Sequence, residues 1–118
     1  MNLTAQILAA LIAVLHLWFM VLEMVLWTRP VGRRVFGLSA EFAHASRVLA
    51  ANQGLYNGFL AAGLIWSLWL GAAGEGLRTF FLACVLLAGL FGAATVSRRI
   101  LWVQALPAAL ALLAGALA

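Results

Sequence analysis

Charged residues are scarce in this sequence, and two kinds of them are missing. Asp, Glu, Lys and Arg together make up 8% of the 118 residues, and neither lysine nor aspartate occurs. Hydrophobic residues account for 67% of the chain. A soluble domain of this size needs much more polar surface, so the composition excludes a soluble globular fold and predicts an integral membrane protein.

Cysteine is also nearly absent, because Cys84 is the single one. One thiol cannot form a disulfide framework or a cysteine-based metal site. The two histidines, His16 and His44, do not have the spacing of metal ligands. We therefore predict no metal site, and no motif identifies a cofactor.

The chain also lacks a basic arm or an aromatic-basic module of the kind that binds nucleic acid. All seven basic residues are arginines, and with three glutamates they give a formal net charge of +4. In so apolar a chain, this excess of arginine indicates how the protein is oriented in a membrane rather than DNA or RNA binding. The N-terminus has no basic region of the signal-peptide type, and the apolar segment after it is too long for a signal core, so we expect a retained first span.

Four apolar segments, each close to the ~20 residues that cross a bilayer, fill most of the chain. They cover about residues 3–27, 48–70, 77–96 and 100–117. The predicted fold class is all-α: a four-transmembrane-helix bundle in a single integral membrane domain, residues 1–118. Between the first two spans, Gly32 and Gly37 are expected to break the connection. Ser39 is expected to cap a short interfacial helix over residues 40–44, which continues into the second span.

The arginines are distributed unevenly among the three connections. Four lie in or beside the first connection (Arg29, Arg33, Arg34, Arg47), one in the second (Arg78) and two in the third (Arg98, Arg99). By the positive-inside rule, the first and third connections face the cytoplasm and both termini face outward. An alternative for the first cluster is that it binds anionic lipid or phosphate.

Polar side chains recur at helical spacing inside the spans. One stripe of the first span contains His16, Met20, Glu23 and Trp27, and one arc of the second contains Asn52, Gln53, Tyr56 and Asn57. Gly54, Gly58 and Ala61 are expected on the opposite side of the second span, where another helix can approach. Gln104 of the fourth span lies at comparable depth. These residues predict a polar pocket in the cytoplasmic half of the bundle, with ligand-binding groups around His16 and Glu23.

Each of these residues also has a purely structural interpretation. Glu23 is a candidate functional group because a charged side chain inside a span costs roughly 2.5–3.5 kcal/mol on insertion scales, but near the membrane boundary it could simply pair with Arg33, Arg34 or Arg47. His16 could be a neutral hydrogen-bonding residue that joins two helices, and the amides could have the same role.

Two long segments resemble a known family. Residues 16–39, HLWFMVLEMVLWTRPVGRRVFGLS, and residues 49–66, LAANQGLYNGFLAAGLIW, are similar to domain-of-unknown-function family 1304, which comprises small bacterial four-helix inner-membrane proteins. The resemblance implies a four-span fold in the bacterial inner membrane. It does not indicate which activity the protein has. The signature residues that it implies are His16, Glu23, Trp27, Asn52, Gln53, Gly54, Tyr56 and Asn57.

Two functions are compatible with the predicted pocket. In the first, Glu23 exchanges a proton for a small amphipathic or lipophilic molecule held among Tyr56, Trp27 and the amides. The chain length, the four spans and the carboxylate in the first span are similar to those of small multidrug-resistance transporters, which work as dimers. A homodimer is therefore an open alternative to a monomer.

In the second, the protein is a membrane-embedded enzyme in which His16 and Glu23 form a catalytic acid/base pair on a lipophilic substrate. Asn52, Gln53 and Tyr56 would then orient a substrate oxygen. A third possibility is an accessory subunit that binds another membrane protein. Binding or transport is the favoured hypothesis, with membrane lipids as the surrounding partners; whether the protein is an enzyme is left open.

Overall fold

The computed structural model of the chain describes residues 2–117, and within that range it contains helices and no strand. The helices are α1 (Leu3–Met24), α2 (Pro30–Phe36), α3 (Ala40–Leu70), α4 (Glu75–Thr95) and α5 (Leu106–Ala116). A 3₁₀ segment, Gly71–Gly74, joins α3 to α4, and a π-helical segment, Leu101–Ala105, leads into α5. The all-α prediction is therefore confirmed.

Two helical stretches are long and apolar enough to cross a membrane. They are Leu3–Met24, which is α1, and Ala40–Thr95, which runs through α3, the 3₁₀ segment and α4. Leu101–Ala116 is apolar but shorter. Many large apolar side chains point away from the protein, among them Trp69 at 88% exposure and Phe91 at 72%. A surface of this kind is typical of a protein with an apolar surrounding.

The first helix ends earlier than the sequence predicts. We expected helix through Trp27, but α1 ends at Met24 and Trp27 lies in the turn that follows. Pro30 disfavours helical backbone at Arg29, the residue before it, so the chain cannot continue as one helix from α1 into the next. Arg29 accordingly has φ −83° and ψ 161°, an extended conformation, and Pro30 begins α2 at the first helical position, where its missing N–H costs nothing.

The predicted helix over residues 40–44 is confirmed, and as expected it continues into the second span, as the first turn of α3 (Ala40–Leu70). The connection contains one more helix than we expected, α2 (Pro30–Phe36). Gly32 does not break the chain, because it lies buried inside α2, where a Cβ would collide with the Leu26 carbonyl. Gly37 does end a helix, with φ at 65°. Ser39 caps α3 as predicted, since its Oγ accepts the Phe42 N–H at 3.1 Å.

The chain divides into two compact units. The first unit comprises residues 1–14 and 60–118, and the second unit comprises residues 15–59. In the first unit, parts of α1, α3, α4 and α5 contribute to one apolar core, Ile12, Ala13, Leu64, Leu82, Val85, Ala108 and Ala111. Several of its members are small, so the helix backbones approach closely. A Cβ on Gly89 of α4 would lie 2.6 Å from the backbone nitrogen of Ala105.

The π-helical segment in the first unit has its cause in Pro107. Proline has no N–H to donate to the carbonyl four residues earlier, and its ring crowds that carbonyl. The chain responds with a wider turn, in which the N–H of Leu106 donates to the carbonyl of Leu101, five residues back. The helix continues through the proline, and Ala108 and Ala111 remain on its buried face.

Candidate functional site

The second unit contains a direct contact between the ionisable residue of α1 and an amide of α3. Asn57 Nδ2 donates a hydrogen bond to Glu23 Oε1. Asn57 is 5% exposed and Glu23 is partly buried. A carboxylate in an otherwise apolar helix therefore has a polar partner on the neighbouring helix, which lowers the cost of removing it from water.

Glycines of α3 bring the two helices close enough for this bond. A Cβ on Gly54 would lie 3.0 Å from Cβ of Glu23 and 3.2 Å from the backbone carbonyl of Met20. One turn later, a Cβ on Gly58 would lie 2.8 Å from Sδ of Met20. The absence of side chains at these two positions lets α1 rest against α3, so Met20 and Glu23 pack directly on the glycine surface.

The predicted polar arc of α3 is divided between two faces. We expected the four polar residues on one side and the glycines on the other, and this is wrong. Asn57 lies on the buried face with Gly54 and Ala61, because three- and four-residue steps connect these positions on a helix. The other members of the arc, Asn52, Gln53 and Tyr56, are exposed.

His16 is completely buried, with 0% of its surface exposed. Its ring meets the ring of Phe19 edge-on, with centroids 5.3 Å apart. His16 and Glu23 both lie on α1, two turns apart as predicted, but the side-chain hydrogen bond of Glu23 goes to Asn57. Gln104, the candidate from the last apolar segment, is partly buried and belongs to the first unit.

Trp27 holds the turn after α1 against α3 within the second unit. Its indole Nε1–H donates to Ser46 Oγ at 3.0 Å, and Ser46 Oγ donates in turn to the Phe42 carbonyl at 2.6 Å. The indole also contacts the ring of Phe36, with centroids 5.0 Å apart. Ser46 was missing from the sequence-derived candidates, and its only sequence signal is a lone hydroxyl in the first turns of an apolar helix.

Two arginines of the second unit make local contacts with the backbone. Arg33 Nε donates to the Leu38 carbonyl at 3.4 Å, and Arg47 Nη1 donates to the His44 carbonyl at 2.6 Å. The first contact joins α2 to the residues after it, and the second lies within α3. The side-chain hydrogen bond of Glu23, in contrast, comes from the amide of Asn57 and not from a guanidinium of the arginine-rich connection.

Arg78 is a further buried polar residue, which the sequence indicated only as part of the arginine distribution among the connections. It is 5% exposed and shares the buried face of α4 with Leu82, Val85 and Gly89. The steps of four, three and four residues between these positions form a helical stripe, and that spacing is the sequence signal for the burial of Arg78.

Within residues 2–117, no group of three or more His, Cys, Asp or Glu side chains could hold a metal ion.

Replacing Trp27 with Phe tests the anchoring of the turn. The variant keeps the aromatic contact with Phe36 and loses the hydrogen bond to Ser46, so we expect a loss of about 1 kcal/mol in the free energy of unfolding. Denaturant titration in detergent micelles measures it. Trp69→Phe is the matched control, because that indole is 88% exposed and its replacement should change stability by less than about 0.5 kcal/mol. Equal effects of the two changes would contradict the anchoring role.

Comparison with known proteins gives one family and one curated relative. Residues 10–116 match the family model described as "Protein of unknown function (DUF1304)". A Lactococcus lactis protein described as "Uncharacterized protein YpaA" is 31% identical over 115 residues, which cover 96% of this chain and 97% of the relative. No solved structure matches. Both matches extend over nearly the whole chain and include the segments around Glu23 and Asn57.

Proposed function

This chain belongs to the family of unknown function DUF1304, as its resemblance indicated, and from the geometry above we propose that it is a multi-pass inner-membrane protein that binds or transports a small amphipathic or lipophilic molecule. The binding group in this proposal is the Glu23 carboxylate held by Asn57. A single observation carries it: a carboxylate in an apolar helix is bonded to an amide of the neighbouring helix instead of to a basic residue. Ionisable residues in such positions mark substrate and proton pathways in membrane proteins.

A four-span arrangement is supported by the 56-residue stretch Ala40–Thr95. At ~1.5 Å per residue a straight helix of that length would extend roughly 84 Å, nearly three times the ~30 Å hydrocarbon layer. Gly71, with φ at 64°, interrupts it. Gly63 before the interruption faces the ring of Phe81 after it, so α3 and α4 run back along each other. With α1 and the segment 99–116, this makes four crossings.

Orientation in this proposal follows from the arginines. The turn between α1 and α3 contains Arg29, Arg33 and Arg34, with Arg47 just beyond it, and Arg98 and Arg99 lie between α4 and α5. These connections are assigned to the cytoplasm, so both termini are outward. Glu23, one residue before the end of α1, then lies near the cytoplasmic boundary, where protons and amphipathic molecules can reach it.

The exposed side of α3 supports a second binding element. Asn52, Gln53 and Tyr56 lie on the outside of a helix that this proposal places in the membrane. Amide and phenol groups facing hydrocarbon need partners, because lipid chains offer none. In the proposal these three residues contact either the ligand or the same helix of a second copy, and in the second case the protein is a homodimer.

The enzyme hypothesis has less support than binding or transport. An acid/base residue must reach the reacting atoms of its substrate. His16 is 0% exposed and its ring meets that of Phe19 edge-on, so a substrate could touch this imidazole only if the surrounding side chains moved. The His16→Ala variant separates the two functions, since a transporter keeps ligand binding without this imidazole, whereas an acid/base enzyme loses turnover.

The test of the proposal uses the full chain purified in detergent and reconstituted into proteoliposomes. Tetraphenylphosphonium, a lipophilic cation, is the probe; binding is measured by calorimetry, and proton exchange by a pH-sensitive dye inside the vesicles. We expect Glu23→Gln to weaken binding by on the order of tenfold or more, because the attraction between the carboxylate and the cation is lost, and to abolish coupled proton movement. Glutamine still accepts the Asn57 hydrogen bond, so the fold is retained.

Glu41→Gln is the control, because that carboxylate is exposed in the first turn of α3 and its replacement should leave binding unchanged. Identical binding by the wild type and Glu23→Gln would contradict the proposed role of the carboxylate. A lowered melting temperature in Glu23→Gln, without any change in binding, would instead assign Glu23 and Asn57 to structure alone.

A further inference from the structure

A second polar feature lies in the first unit, outside the Glu23 site. Arg78 is the fourth residue of α4 and is only 5% exposed. Its Nη1 is buried and, among residues 2–117, has no hydrogen-bond partner. Guanidinium stays protonated under all ordinary conditions, and an unpaired buried charge is strongly unfavourable. The site therefore has the electrostatic requirement for an anion.

A partly open pocket of about 230 Å³ lies beside this guanidinium. The polar part of its lining is Glu75, Arg78 and Thr79 of α4. The apolar part includes Leu82 of α4 and Ala111 and Leu112 of α5. Leu82 and Ala111 are 1% and 0% exposed. The volume is below the roughly 300–1,000 Å³ of sites for drug-sized ligands, and it suits a small headgroup with the first few carbons of a chain.

Gly115 of α5 leaves the space that the guanidinium occupies. A Cβ at this position would lie 3.2 Å from Nη2 of Arg78, a contact that only a displacement of the side chain would relieve. Because the guanidinium is planar, its N–H groups match the two oxygens of a carboxylate or phosphate.

We infer that this pocket binds the oxyanionic headgroup, phosphate or carboxylate, of a single-chain amphiphile. Arg78 binds the headgroup oxygens, and Leu112, which is only partly buried, contacts the first methylene groups. Glu75 lies three residues before Arg78 and is exposed, so its charge opposes the anion and moderates the affinity. The inference concerns the first unit and stands independently of the proposed role of Glu23.

The experiment titrates the full chain in a neutral detergent with dodecyl phosphate, dodecanoate, inorganic phosphate and dodecyltrimethylammonium, and follows binding by calorimetry and by the melting temperature. We expect the two dodecyl anions to bind and raise the melting temperature, inorganic phosphate to bind more weakly, and the cation not to bind. Arg78→Gln should weaken dodecyl phosphate binding by on the order of 10- to 100-fold. Arg98→Gln removes the same charge from an exposed position and should change nothing.

Three further variants separate binding from folding. Arg78→Met should maintain or raise the melting temperature without a probe, because it removes an unpaired buried charge, while it abolishes the response to dodecyl phosphate. Gly115→Ala keeps the charge but crowds the guanidinium, and should weaken binding. Glu75→Gln should tighten binding.

The inference is overturned if Glu75 is the partner of Arg78 in solution. Arg78→Met and Glu75→Gln would then both lower the melting temperature, and no probe would bind. It is also overturned if inorganic phosphate binds as tightly as dodecyl phosphate, since the apolar wall would then contribute nothing, or if the dodecyl cation binds as well as the anions, since Arg78 would then not be the recognition group.

Discussion

Asn57→Ala is expected to lower the free energy of unfolding by about 2 kcal/mol, the contribution of a buried hydrogen bond to a charged group. Asn57 is 5% exposed and donates to Glu23, so its removal leaves the carboxylate without its partner on α3. The effect should exceed that of a simple truncation, because the remaining acceptor stays partly buried. Denaturant titration of the purified protein in micelles gives the value.

Asn52→Ala is the matched control for this measurement. It removes the same side chain from the same helix, five residues earlier, where the amide is exposed. We expect a change of less than about 0.5 kcal/mol in the detergent-solubilised monomer. In the double variant with Glu23→Gln, the cost of Asn57→Ala should shrink, because a neutral amide leaves a less costly unpaired acceptor. Equal costs at positions 52 and 57 would refute the buried contact.

Gly54→Ala is expected to be the second large effect, with a loss of about 1–3 kcal/mol typical of overpacking. The added methyl would lie 2.7 Å from Cγ of Met24 and 3.0 Å from Cβ of Glu23. Neither atom is at the free end of its side chain, and the Met20 carbonyl is only slightly farther away, at 3.2 Å. The helices must move apart, and the bond between Glu23 and Asn57 must lengthen.

Gly58→Ala is the control one turn along the same face. There the methyl would meet the Sδ of Met20 at 2.8 Å, and a thioether can rotate away at little cost. Alanine also favours helix over glycine by roughly 0.5–1 kcal/mol, so this variant should be neutral or slightly stabilising. Parallel unfolding titrations compare the pair. If both substitutions are neutral, α1 does not rest on the Gly54 surface.

The helices themselves could be predicted closely from the sequence. Residues 48–70 and 77–96 were expected to be helical, and α3 and α4 end at Leu70 and Thr95. Long apolar runs bounded by glycine and arginine contain enough information for this, because helix formation depends on neighbours within a few residues. Pro30 also keeps Arg29 out of a helix, and the pattern of apolar residues alone does not include that local effect.

The candidate site was only partly predictable. The sequence identifies Glu23 and Asn57 as unusual residues in apolar helices, and the structure joins them. The sequence does not say that Asn52, Gln53 and Tyr56 are exposed, because rotating the helix about its axis turns the arc toward or away from its neighbours without changing any local interaction. Arg78 shows the same limit, since its burial depends on where α5 lies.

Composition and periodicity alone determined that this chain is apolar, helical and divided by short connections, since each of these properties follows from residues close together in the chain. Only the tertiary structure decided which face of α3 meets α1, that Glu23 has an amide partner, and that a guanidinium borders a pocket beside Gly115. These depend on how closely two helix backbones approach, and that distance is decided by glycines and small residues far apart in sequence.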